Sequence, residues 1–499
     1  TQVLASYFYQ KDEVGGRQVG SPNVDGGGDF AQLMPLDEPL ESEVNAWSLD
    51  IETDLGFASF TSSTSGYDYD SQGVKDNTQS YVNDFSDYYG GFPRWVVPSE
   101  LDYNREGISQ EFRLTSNGEG NIDWVAGFFY TDTENTLDQR DSFPGYNAWA
   151  AVTTDPVANT GGPDSELAYQ LIQTLTFEEK ALFGEMTFHL SDQWQTTFGA
   201  RFFDQTVGAD TTTSLPYCGS FCSSENAKLD ESLSDRIFKF NTSYDLAEDL
   251  MVYFTWAEGF RHGGANALPT TGNFAEDPAL NSFDADKATN WEVGIKGIAF
   301  ERVEFTTSLF YIDWKDIIIN TTSPNAAFPV AVNGNTAVSQ GLELEAKLHL
   351  SENLTMTTGY TYVDAQLTSD FSVPGGLQGF DGDKLPGVPE NSLMLAVDYY
   401  QALNNDFELN YHLNASYRDE ITTSLTEGTA DYAMLDSYTI VDATISLKAD
   451  NWKTSLFIDN LFDERAQVGH RTAARYGDGE FDYVNRPRTV GLGLSYSFE

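Results

Sequence analysis

The sequence predicts an all-β protein, a transmembrane antiparallel up-and-down β-barrel with about 18 strands in 499 residues. Three observations point there. Apolar positions alternate with small or polar ones in segment after segment. Short and long connections between those segments alternate without exception. No stretch approaches the roughly 18 uninterrupted apolar residues of a membrane helix. Any crossing of a membrane therefore falls to strands, whose alternation averages out to mild polarity.

The alternation is clearest at the C-terminal end. Val490, Leu492, Leu494, Tyr496 and Phe498 alternate with Thr489, Gly491, Gly493, Ser495 and Ser497. Successive strand side chains point to opposite faces, so one face is wholly apolar and the other small and polar. The same phase recurs upstream. Val441, Ala443, Ile445 and Leu447 oppose Asp442, Thr444, Ser446 and Lys448, and Leu342, Leu344, Ala346 and Leu348 oppose Glu343, Glu345, Lys347 and His349. A charged or small second face in many consecutive strands means a wet interior. Glu292, Glu343, Glu345 and Asp442 then line the lumen, with Lys296, Lys347 and Lys448 as expected cross-strand partners.

Eighteen segments carry the pattern: 2–10, 47–54, 57–68, 108–116, 122–132, 180–191, 193–205, 236–246, 250–259, 290–299, 302–314, 339–350, 353–366, 391–401, 406–418, 438–449, 452–462 and 488–498. Eight connections are short, such as 117–121, 192, 300–301 and 450–451. Nine are long, among them 11–46, 69–107, 133–179, 206–235 and 260–289. Tight turns at one end and long loops at the other are the pattern of an outer-membrane barrel, with the turns and both chain ends periplasmic and the loops extracellular. A soluble propeller would instead repeat every 40–50 residues or so, with short loops on both faces. Tyr360, Tyr362, Tyr496 and Phe498 lie near strand ends, where an aromatic girdle meets the membrane interface.

No linker or low-complexity tract divides the chain, so residues 1–499 read as one barrel domain. The 77 acidic residues against 27 basic ones give a formal charge of −50, which excludes nucleic acid as a partner. The five histidines, His189, His262, His349, His412 and His470, are scattered without metal-ligand spacing, and the glycine runs near 27 and 118 are turns with no helix after them. No metal, no cofactor and no catalytic constellation is expected.

Several segments resemble the C-terminal half of the TonB-dependent receptor family. They are YFTWAEGFRHGGAN (253–266), KATNWEVGIKG (287–297), FYIDWKDIII (310–319), SQGLELEAKLHLSENLTMTTGYTYVDAQ (339–366), IDNLFDERA (458–466) and RPRTVGLGLSYSF (486–498). Each motif alone is weak, but six in order are specific. The resemblance implies a 22-strand barrel around an N-terminal plug, energised from an inner-membrane complex through TonB. Its implied partners are the TonB complex, the chain's own plug and outer-membrane lipid. This chain departs from the family in showing 18 strands, no plug and no signal peptide. The reading is that a plug and about four strands precede Thr1, so residues 2–10 and 488–498 are not expected to pair directly. Phe498 stands where the family's closing aromatic serves as an assembly signal, displaced by Glu499. The implied function is an outer-membrane receptor importing a scarce, bulky nutrient, foremost an iron–siderophore complex. The alternatives are a saccharide or other organic nutrient, or a passive 18-strand porin.

Candidate ligand contacts come from the long loops. Tyr88, Tyr89, Arg94 and Trp95 lie in loop 69–107, and Tyr146 and Trp149 in loop 133–179. Such aromatics either stack on a ligand or pack on each other to order the loop. Arg261 and His262 stand at the top of their strand, to meet an anionic group or to pair with nearby acids. Cys218 and Cys222 are expected to form a disulfide in an oxidising compartment. The alternative, a metal site, lacks further ligands nearby.

Overall fold

The computed structural model describes residues 1–499 apart from 18, 21–30, 33, 79–80, 82–95, 119, 153–165, 215, 217–224, 267, 272–274, 326–327, 373–377, 404–406, 426, 428–431, 472–480 and 499. Eighteen long strands make one antiparallel sheet. They are β1 Gln2–Val14, β2 Leu40–Asp54, β3 Ala58–Asp76, β4 Pro98–Ser116, β5 Ile122–Ser142, β6 Leu167–Ser191, β7 Trp194–Ser214, β8 Glu225–Ala247 and β9 Leu250–Arg261. Then come β10 Asp286–Ala299, β11 Val303–Lys315, β12 Thr336–Ser351, β13 Leu354–Leu367, β14 Asn391–Ala402, β15 Glu408–Arg418, β16 Tyr438–Ala449, β17 Trp452–Asp459 and β18 Thr489–Tyr496.

Each strand pairs with its neighbours in sequence, from β1 with β2 through to β17 with β18. Among the described residues no ladder joins β1 to β18. All 13 residues of β1 are exposed. The wall thus has a seam, and residues 2–10 do not pair with the closing strand.

Residues directly opposite in an antiparallel ladder share a face, which sorts the whole wall. The outward face is apolar and bare: Leu492 is 74% and Leu494 77% exposed. So large a belt of exposed aliphatic and aromatic surface is a lipid-facing band. The inner face carries Glu292, Glu343, Glu345 and Asp442. The expected lysine partners do not hold them. Tyr253 donates to Glu292 at 2.6 Å, Ser308 to Glu343 at 3.5 Å, and the Asn460 N–H to Asp442 at 2.8 Å. Hydroxyls and a backbone donor solvate these carboxylates locally.

The strands are taller than the alternation suggests. β4 begins at Pro98 where 108 was expected, β6 at Leu167 where 180 was expected, and β8 at Glu225 where 236 was expected. Loops 69–107, 133–179 and 206–235 therefore shrink to 77–97, 143–166 and 215–224. Above the lipid-facing band both faces are hydrated, so the apolar–polar signal fades while the backbone ladder continues.

Six glycines of the wall each have the ring of the directly opposite residue lying across them: Gly66 with Trp47, Gly107 with Tyr67, Gly127 with Phe183, Gly294 with Tyr253, Gly341 with Phe310 and Gly491 with Phe457. A Cβ on any of them would fall within 2.1–2.8 Å of that ring. The rings lie across the glycines, covering backbone that would otherwise be unshielded. Five of the six pairs are on the inner face.

The long-loop end carries its own small sheets. Val19–Gly20 pairs with Phe481–Val484, which pairs with Gln467–Arg471. This links the first loop to the last across the seam. Its anchor is Asp482, 2% exposed, which accepts from Gln467 Nε2 at 2.7 Å and lies 2.9 Å from His470 Nδ1. Beside it, Arg17 Nε donates to Glu38 at 2.7 Å, and the Asp76 N–H to the other Glu38 oxygen at 2.7 Å. Burial pushes the Glu38 carboxyl up, but these hydrogen bonds outweigh it and hold the group below its ordinary range. A depressed carboxyl stabilises the fold above its unfolded value and stops doing so as pH falls through the folded value. Cleavage of segment 15–39 by an acid-active protease is therefore expected to rise only below the ordinary carboxylate range, and Glu38→Gln should be cleaved equally at all pH values.

Candidate functional site

Above the lipid-facing band, β3, β4 and β5 separate charge between their two faces. Asp68 and Asp70, Asp102 and Glu106, and Asp132, Glu134 and Asp138 all fall on the outward face. The inward positions between them hold Tyr67, Tyr69, Tyr103 and Arg105, with neutral residues along β5. Tyr69 meets Tyr103 edge-on at 6.1 Å. The Arg105 guanidinium lies 5.4 Å from the Tyr103 ring centre and donates to its hydroxyl. No carboxylate among the described residues pairs with Arg105.

The next strands round the mouth lean inward. The ladder between β8 and β9 stops at Lys239 and Ala257, yet β9 runs on to Arg261. Phe260 stacks on Phe203 of β7 at 4.2 Å, and His262 on Phe177 of β6 at 4.9 Å. Lys287 of β10 pairs with Asp235 of β8. The tops of β9 and β10 thus lie over the inner surface of the three preceding strands. Phe203, Glu179 and Gln205 are buried beneath them at 4%, 6% and 4% exposure, with Arg201 and Gln205 both donating to Glu179.

Asp286 locks this lean. It is 1% exposed and accepts from Arg261 Nε at 2.9 Å, the Arg261 N–H at 3.1 Å, Trp314 Nε1 at 3.0 Å and the Ile318 N–H at 3.1 Å. The Arg261 guanidinium also lies 4.8 Å from the Trp314 ring centre. Arg261 is therefore spent on an acid and an indole, the second of the two roles open to it. His262 is held by its stack on Phe177, with an exposed edge.

The aromatics of loop 143–166 likewise pack on each other. Tyr146, 1% exposed, opens the short helix α1, Tyr146–Ala150, and contacts Phe143, Val97 and Ala168 in a small core. Trp149 packs on it at 5.7 Å between ring centres. Tyr81 donates to buried Asp141 at 2.6 Å and meets Phe143 edge-on. Tyr88, Tyr89, Arg94 and Trp95 lie outside the described residues, as do Cys218 and Cys222. Phe498 is 88% exposed and touches Tyr496 edge-on at 4.8 Å. Sequence reasoning missed Tyr103, Arg105 and Asp286. The signal for the first two was the set of acids in one phase of the alternation, Asp68 and Asp70 on one strand and Asp102 and Glu106 on the next, with Asn104 between them.

An apolar outer band, a polar inner face and a tall loop-bearing end define an outer-membrane type of β-barrel. Residues 4–461 match the family model described as TonB dependent receptor-like, beta-barrel, and the chain belongs to that family. Among curated relatives, the pesticin receptor of Yersinia pestis is 26% identical over 399 residues, 78% of this chain and 51% of its own length. The metal-pseudopaline receptor CntO of Pseudomonas aeruginosa is 23% identical over 62% of this chain and 39% of its own length. This chain spans about half the length of the first of these. Among solved structures, the ferric yersiniabactin uptake receptor FyuA from Yersinia pestis superposes with a TM-score of 0.77 at 18% identity, covering 100% of this chain and 68% of that one. The ferric-catecholate import receptor Fiu from E. coli K12, in its closed form, gives 0.68 at 17%, covering 99% and 72%. These likenesses fix the fold.

Proposed function

We propose that this chain is the barrel of an outer-membrane importer that takes up an iron–siderophore complex with energy delivered through TonB. The observation that carries the reading is the seam. A passive porin of 18 strands would close its wall from β1 to β18, because unsatisfied backbone groups in lipid cost several kcal/mol each. Here β1 pairs with β2 alone. About four further strands, with a plug inside, would complete a 22-strand wall. The likeness to a pesticin receptor and to uptake receptors for ferric yersiniabactin and ferric catecholates supports an iron complex as cargo. In this reading the short turns face the periplasm and the long loops face outside. Trp149, His262 and the loop holding Tyr88, Tyr89, Arg94 and Trp95 remain candidate ligand contacts, Cys218 and Cys222 form a disulfide, and Phe498 serves assembly.

The test is uptake of radiolabelled iron by iron-starved cells carrying the full-length gene. Uptake is expected to fall to background when the TonB protein is deleted or a proton uncoupler is added. Uptake that persists unchanged in both cases would favour the porin.

A further inference from the structure

We propose that the inner wall at the upper ends of β3, β4 and β5 is the contact face for an anionic, aryl-bearing ligand. Arg105 reads the charge, and Tyr103 and Tyr69 supply the ring contacts. The inference rests on the importer reading and names the chemistry of its cargo.

The patch is marked by what the wall leaves out. This chain carries a formal charge of −50, so an acid-free surface on it needs a reason. Over residues 67–71, 101–107 and 131–139, β3, β4 and β5 alternate strictly, with every acid turned outward, and Asp141, higher on the inward side of β5, is buried and held by Tyr81. The ladder places Tyr69 and Asn135 directly opposite Arg105 on its two sides. Neither is charged. The outward acids point away from the lumen on the far side of the strands, so none of them faces the guanidinium across its own patch. The guanidinium therefore keeps a positive field over its own patch.

The residue types then narrow the ligand. An arginine is planar, stays charged, binds an oxyanion through two parallel N–H bonds and stacks on rings. Tyr103 and Tyr69, edge-on at 6.1 Å, present both a face and an edge to a third ring. A neutral polyol would leave the Arg105 charge unmatched, and beside that cation the patch offers one amide, Asn135, and no carboxylate. Arg105 is exposed and, among the described residues, its one side-chain partner is the Tyr103 hydroxyl, so the described fold does not consume it. That distinguishes it from Arg261, which Asp286 holds.

The test uses the full-length protein purified in detergent. The probes are the iron(III) complex of 2,3-dihydroxybenzoate, which is anionic and aromatic, and the iron(III) complex of acetohydroxamate, which is neutral and has no ring. Quenching of intrinsic fluorescence reads binding. The first probe is expected to bind and the second to bind much more weakly. Arg105→Gln should weaken the first by roughly tenfold or more, the scale of one charge-assisted hydrogen bond. Arg105→Lys should fall between, and the outward Glu106→Gln should match wild type. Because Arg105 is exposed, its variants should keep the heat-modifiable gel mobility of a folded barrel. Equal binding of both probes, no binding of the first, or an unchanged Arg105→Gln each overturns the proposal. If that occurs while uptake still requires TonB, the importer reading stands and only this inference falls.

Discussion

Replacing Gly341 by alanine is expected to destabilise the barrel by about 3 kcal/mol, the upper end of ordinary overpacking. A Cβ there would lie 2.0 Å from the backbone oxygen of Tyr362 and 2.8 Å from the Phe310 ring. A ring can turn aside, but a ladder carbonyl cannot move without opening β12 from β13. Gly359→Ala is the matched control on β13, since its nearest neighbour would be the end of Met394 at 4.0 Å. Urea unfolding in detergent, read by heat-modifiable gel mobility, should separate the two variants. Equal midpoints would show that the wall gives at Gly341 and would sink the prediction.

Asp286→Ala should have the second large effect, and a local one. It leaves the Arg261 guanidinium, the Trp314 indole and the Ile318 N–H without their shared acceptor. Arg261 is half exposed and can turn to water, so the cost is that of the buried hydrogen bonds lost by the Trp314 indole and the Ile318 N–H, about 1–3 kcal/mol. Here the loss falls on the inward lean of β9 and β10. Amide exchange is expected to rise across 258–286 and 316–335, while β14 to β18 stay protected. Protection that is unchanged in both segments would mean that the stack of Phe260 on Phe203 holds the lean without the acid.

The sequence was most legible where lipid imposes a rule. From β9 to the C-terminus, predicted and observed strands differ by a few residues, because each is only as tall as the apolar band and its alternation ends where the strand does. Upstream, β4 to β8 climb past that band, and there a helix, loop or strand would all be polar. Asp68, Asp70, Asp102 and Glu106 still obeyed the pleat, but as charge and not as hydrophobicity. The candidate residues divide along a similar line. Arg261 and His262 stand at the strand top where they were expected. Their partners, Asp286 and Phe177, are 25 and 85 positions away in sequence, and only the inward lean brings them together. Tyr146 and Trp149 could be read as binding or packing residues from composition alone, and burial decides for Tyr146.

The rings laid across glycines have a mechanical consequence. An aromatic side chain that stands upright on a barrel wall is a ridge. One that lies down over a neighbour without a side chain is nearly flush with the backbone. Five such rings on the inner face, Tyr67, Phe183, Tyr253, Phe310 and Phe457, therefore reduce the roughness of the bore while keeping its apolar lining. A body seated in that bore would find its grip in the hydroxyls and carboxylates between the rings, and bearing surfaces at the rings themselves. Clearance, more than adhesion, would then set how easily it turns or slides.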